Sequence, residues 1–121
     1  MTSAITFCLV INPEEEYIDE QAEITAVEVK ERIETYAANF KIRPYNAWRN
    51  FDDRDNIERL PAIHIYKRNL LMHTFYLDTD PIQHVDNYMS EYLKKKEKKE
   101  KVWLSIIRNF LRFIRIGVSE R

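Results

Sequence analysis

The residue types that do covalent or metal chemistry are scarce in this chain of 121 residues, which has one cysteine, Cys8, and three histidines, His64, His73 and His84. A thiol attacks a disulfide only as its thiolate, and a helix N-terminus or a cationic neighbour is what lowers its pKa far enough. Cys8 instead lies inside the apolar run Ala4–Ile11 and reads as an inert core thiol. The histidines have no cysteine or carboxylate at ligand spacing, so they predict no metal site. His64 and His73 are expected on paired strands as neighbours, in structural or solvent-facing roles. Glu14, Glu15, Glu16, Asp19 and Glu20 gather carboxylates, but their spacing fits no calcium loop. They read as an acidic solvated loop. No serine stands in a nucleophile-elbow context, and no carboxylate pair marks a hydrolytic cleft. With one glycine in the chain there is no Gly-rich phosphate loop. These residues predict a protein that is not an enzyme and takes no metal, cofactor or identifiable small-molecule substrate.

A chemistry of recognition is written nearer the C-terminal end. In Val102-Trp103-Leu104-Ser105-Ile106-Ile107-Arg108-Asn109-Phe110-Leu111-Arg112-Phe113-Ile114-Arg115-Ile116, helical spacing gathers Ser105, Arg108, Asn109, Arg112 and Arg115 into one arc of about 120°. Nearly everything else on the wheel is large and apolar. Such a helix suits a partner's groove, a membrane interface or its own domain. The predicted partner-binding surface is Trp103, Ile107, Phe110, Leu111 and Ile114, with Arg108, Arg112 and Arg115 at its polar rim. A protein partner or a second copy is expected, with an anionic membrane surface, reached through residues 102–116, as the alternative. Nucleic acid is not expected, because the wide apolar face has no role against phosphates.

The elements that must position these residues follow from patterning. Ala4–Ile11 is a continuous apolar run bounded by Asn12-Pro13 and predicts a strand buried on both faces. A helix is predicted from Gln21 to Ala38, with Ile24, Val27, Ile33, Tyr36 and Ala37 as its apolar set. Lys41–Phe51 alternates as a strand, at an edge because of Pro44. Asp52-Asp53-Arg54-Asp55 supplies cap-type residues for a short helix through Arg59. Segments 61–66 and 70–77 predict a hairpin about Lys67-Arg68-Asn69, with Asn69 the residue best suited to a left-handed turn. Pro81 opens a helix whose stripe is Ile82, Val85, Tyr88, Met89, Tyr92 and Leu93, expected to pack on the sheet. Lys94–Lys101 continues that helix or forms a hinge.

The stretch from Leu60-Pro61-Ala62-Ile63-His64-Ile65-Tyr66 through Leu70-Leu71-Met72-His73-Thr74-Phe75-Tyr76 to the helix after Asp78 resembles the C-terminal half of a thioredoxin. Pro61 falls where that family carries its cis-proline, and Lys67-Arg68-Asn69 falls on its usual hairpin turn. The resemblance implies a thioredoxin-like three-layer α/β/α sandwich with a four-stranded mixed sheet in the order βαβαββα, lacking the family's first strand and helix. It places the redox Cys-x-x-Cys at Tyr17-Ile18-Asp19-Glu20, where there is no cysteine. Scaffold without catalysis is implied. Thioredoxin-like members without cysteines serve as chaperone partners, signalling adaptors and components of large particles, including virions. The backbone beside the family's cis-proline binds extended peptide, which Leu60 and Pro61 would do here.

The expected organisation is a thioredoxin-like domain over 1–94 and a basic amphipathic helical extension over 95–121. The expected function is a redox-inactive adaptor or structural subunit, with a thiol oxidoreductase using Cys8 alone as the competing class. Net charge is −1. Nine acids stand against Lys30 and Arg32 between Glu14 and Glu34, and ten basic residues against Glu97, Glu100 and Glu120 from Lys94 onward. That separation favours head-to-tail association or contact with an anionic surface. A lone cysteine, no signal-like segment and no run of the roughly 20 apolar residues that span a bilayer predict an intracellular setting, cytoplasmic or within a large assembly.

Overall fold

The computed structural model describes residues 4–14 and 19–119, with side chains as far as Leu111. Its elements are β1 (Ile5–Ile11), α1 (Glu20–Thr35), β2 (Asn39–Pro44), α2 (Phe51–Asn56), β3 (Ala62–Lys67), β4 (Leu70–Tyr76) and α3 (Pro81–Ser119). Residues 1–86 make one compact unit and residues 87–121 a second.

Four strands form a mixed sheet in the order β2-β1-β3-β4, with β1 parallel to β2 and antiparallel to β3, and β3 antiparallel to β4. Strand β1 is interior, and Ile5, Phe7, Cys8, Leu9 and Val10 are all buried. This is why it reads as an unbroken apolar run rather than an alternating one. Side chains alternate across the sheet. One face carries Phe7, Leu9, Ile63, Ile65 and Phe75. The other carries Thr6, Cys8, Lys41, Arg43, His64, Tyr66 and Thr74.

The apolar face is covered by α1 and by the start of α3, residues 81–86. His84 stacks on Phe75 with ring centroids 5.0 Å apart. Arg32 of α1 donates a fork to Asp86 of α3 at 2.7 and 2.9 Å, and the Tyr36 hydroxyl donates to the same carboxylate at 2.6 Å. The buried residues of α1 are Val29 and Ile33, whereas Ile24 and Val27 of the predicted stripe are exposed. The buried pair, Val29 and Ile33, lies one turn apart on the helix face turned to the core. Along α3, Val85 and Met89 are buried, and exposure rises to 38% at Leu93. The lysine run forms no hinge, for α3 continues through Lys94–Lys101 to Ser119.

Several boundaries shift. Strand β2 ends at Pro44, not Phe51, since proline cannot carry a ladder hydrogen bond onward. The cap of α2 is Asn50, whose side chain accepts from the Asp52 amide at 3.0 Å, so the aspartates lie inside the helix and not before it. At the hairpin the positive φ falls on Arg68 (60°), not on Asn69. His64 and His73 are not neighbours. His64 faces Thr74 across the ladder and His73 faces Ile65, which puts the two rings on opposite faces of the sheet.

Helix α1 stops in a Schellman-type cap. The Ala37 amide donates to the Glu34 carbonyl at 3.0 Å and the Ala38 amide to the Ile33 carbonyl at 3.4 Å. Ala37 takes φ 57°, the left-handed conformation that usually goes to glycine. Replacing Ala37 with Gly should therefore raise unfolding stability by about 0.5–1 kcal/mol in urea titration, and no gain would show that the cap carries no strain.

Candidate functional site

Two places merit a functional reading: a buried polar cluster beneath α2, and the outward stretch of α3. The cluster begins with Asp53, one of four polar residues in a row from Asp52 to Asp55, yet fully buried. A carboxylate out of water must be paired and hydrogen-bonded to stay charged. Arg43 of β2 grips Asp53 through both terminal nitrogens at 2.6 and 2.5 Å, the Asn46 amide donates at 2.9 Å, and His64 Nε2 lies 3.2 Å from Oδ1. Because the carboxylate only accepts, His64 carries its proton on Nε2. Nδ1 then accepts from the Thr74 hydroxyl at 2.8 Å. Nearby, the Tyr66 hydroxyl donates to Asp52 at 3.0 Å, and burial, with Asp52 adding, pushes its pKa up to about 12.

Carboxylate, imidazole and hydroxyl in series have the connectivity of a proton relay. His64 is fully buried, however, and neither it nor Thr74 lines the cavity on this face. The series therefore ties α2 to the sheet rather than presenting a nucleophile. Burial alone would raise the Asp53 pKa, but Arg43, the Asn46 amide and His64 outweigh it and hold the carboxyl below its ordinary 3.8. Burial holds His64 below its ordinary 6.5 against the opposing pull of Asp53.

Both groups bind a proton more readily when the chain is unfolded. Stability from neutral His64 is complete above pH 6.5 and is lost as pH falls through its lower folded value. That from ionised Asp53 is complete above pH 3.8 and is lost below it. Urea unfolding between pH 7.5 and 3 should show two successive losses. The His64→Gln variant should lose the upper step whatever its absolute stability, and an unchanged upper step would remove His64 as its origin.

Cys8 is 3% exposed, and its thiol is pushed above the ordinary value, chiefly by burial and against the lowering effect of Arg43. A raised pKa and near-complete burial oppose nucleophilic use. The native chain should react with an aromatic disulfide reagent at neutral pH about 100-fold or more slowly than the urea-unfolded chain. Equal rates would mark Cys8 as a reactive thiol.

The other predicted residues fall as follows. The Leu60–Pro61 peptide is cis. Both residues are half-exposed, but the Pro61 carbonyl already accepts the Leu77 amide at 3.2 Å. Of the four positions matched to the redox motif, Tyr17 and Ile18 lie outside the described residues, while Asp19 caps α1 and Glu20 begins it. On α3, Trp103 is 64% exposed, Phe110 62% and Leu111 56%, and Ile107 and Arg108 are exposed beside them. The side chains of Arg112, Ile114 and Arg115 lie outside the described residues. Among the described residues no cluster of His, Cys, Asp and Glu is arranged to hold a metal ion, and no helix is long and apolar enough to cross a membrane.

The architecture matches solved structures. Oxidised thioredoxin from Plasmodium falciparum superposes with a TM-score of 0.53 at 16% identity, over 72% of this chain and 83% of its own. The fold is thioredoxin-like. A designed protein superposes on the same thioredoxin-like domain with a TM-score of 0.54 at 12% identity, over 76% and 78% of the two chains. The germline-specific thioredoxin Deadhead of the fruit fly Drosophila melanogaster gives 0.50 at 14% identity, over 74% and 81%. No protein-family model and no curated protein matches the sequence. With one cysteine, buried in β1, this thioredoxin-like domain has no Cys-x-x-Cys pair.

Sequence reasoning missed the Asp53 cluster. The available signal was His64 itself, a polar residue amid the apolar run Ala62–Ile65, which demands a buried partner. Its identity could not be read, because Asp53 and Arg43 lie on separate elements and Asp53 stands among residues that look solvated.

Proposed function

We propose that this thioredoxin-like chain works without redox chemistry, by protein–protein binding, as an adaptor or structural subunit of a larger assembly. The observation that carries the reading is the state of α3 from Val102 to Leu111. Seven of its ten side chains, Val102, Trp103, Leu104, Ile106, Ile107, Phe110 and Leu111, are large, apolar and exposed. Contiguous apolar surface on a water-soluble helix is costly unless something covers it. Aromatic residues beside arginine have the composition of an interface centre with a polar rim. The absence of a second thiol supports the same reading, since disulfide exchange through a mixed disulfide is resolved by one.

The chain's charge separation supports a protein partner with an acidic rim, whether another protein or the acidic stretch of a second copy. Steering by opposite charge would speed such association.

The test is the molecular mass and partner capture of the full chain against a version ending at Glu100 and against Trp103→Ala/Phe110→Ala. Interface anchors of this type each contribute about 2 kcal/mol or more, so the double variant should weaken assembly at least 10-fold. Assembly and partners kept by the shortened chain would place the interface elsewhere. Flotation with anionic liposomes, lost on shortening, together with unchanged mass in solution, would favour membrane attachment instead.

A further inference from the structure

The sheet face opposite α1 carries a second feature that the binding role of α3 does not use. Helix α2 is six residues long and covers only part of this face. Beside it lies an open cavity of about 240 Å³ lined by Thr6, Cys8, Lys41, Arg43, Tyr66, Arg68 and Asn69. Its lining is set by register. Thr6 and Cys8 of β1 form the floor, Lys41 stands opposite Cys8 on β2 with Arg43 two residues on, Tyr66 stands opposite Thr6 on β3, and the hairpin turn closes one end.

Three of the seven lining side chains are cationic and none is acidic. Arg43 is neutralised by Asp53. Among the described residues Lys41 and Arg68 have no carboxylate within ion-pairing distance. Two carboxylates meet this lining in the hydrogen-bond network, Asp53 on Arg43 and Asp52 on the Tyr66 hydroxyl, and neither reaches Lys41 or Arg68. Two unbalanced positive charges facing one concavity repel each other and attract a doubly charged anion.

The volume falls short of the roughly 300–1,000 Å³ typical of drug-sized ligand pockets. The occupant is therefore small. An ammonium, a guanidinium, a hydroxyl and a carboxamide around one cavity offer donors from several directions. That suits the tetrahedral oxygens of a phosphate better than the planar pair of a carboxylate.

We propose that this cavity binds the phosphate group of a small phosphomonoester, with Lys41 and Arg68 as the charge-bearing contacts and Thr6 and Asn69 as neutral donors. All lining residues lie between Thr6 and Asn69, so the site is independent of residues 102–116.

The test is titration of the full chain with inorganic phosphate and with glycerol 3-phosphate at constant ionic strength, followed by calorimetry and by amide chemical shifts. Saturable binding is expected with a dissociation constant on the order of 1 mM or tighter. The shifts should centre on Thr6, Lys41, Arg68 and Asn69, and acetate should bind more weakly. Lys41→Gln and Arg68→Gln, with amide spectra otherwise unchanged, should each weaken binding about 10-fold, while Lys98→Gln on α3 should not. The proposal is overturned by any of three results: no saturation, shifts centred on Lys94–Lys101, or phosphate affinity unmoved by both pocket variants.

Discussion

A carboxylate sealed from water stays ionised only if neighbouring groups replace the water it has lost, and Asp53 imposes that demand on much of the domain. Its oxygens take both arms of Arg43 from β2, the Asn46 amide from the following loop and the His64 ring from β3. Strand β2, the loop after it, α2 and β3 are thereby held to one geometry by directional bonds rather than by apolar contact alone. The two faces of the sheet are built on different principles. One is covered by aliphatic and aromatic packing under α1 and the start of α3, residues 81–86. The other is a polar lattice with a short helix pinned at its centre.

The strand and helix order was legible because each element carries its period openly. Ala4–Ile11 shows the unbroken apolarity of an interior strand, and Asp78-Thr79-Asp80-Pro81 marks a helix start. The details that failed share one cause, which is that they were decided by partners on other elements. Ile24 and Val27 satisfy helical spacing as well as Val29 does, and only the position of α1 over the sheet decides which are buried. The left-handed turn residue is Arg68 because the ladder register fixes the loop at two residues, against the local preference that favours Asn69. Of the candidate surface, the apolar and arginine composition of residues 102–116 could be read directly. The Lys41–Arg68 cavity could not, because it exists only once β1, β2 and the hairpin are brought together.

The start of α1 is built for negative charge. A helix N-terminus favours a negative charge in its first turn. Here the first turn holds Glu20 and Glu23, with Asp19 at the cap. These carboxylates supply the negative charge that the helix terminus favours.

The sheet's end strands also restrict how copies of this chain can meet. Strand β2 lies at one end of the order, carries Lys41 and Arg43 and finishes in Pro44. A second copy extending the sheet there would juxtapose like charges and meet a residue with no amide hydrogen to donate. At the other end, the register of β4 slips between Ile65 and Tyr66, leaving Met72 without an opposite residue. A bulge of this kind twists a strand out of alignment with any continuation. With both margins of the sheet blunted, the chain is guarded against growth into a continuous β-ribbon.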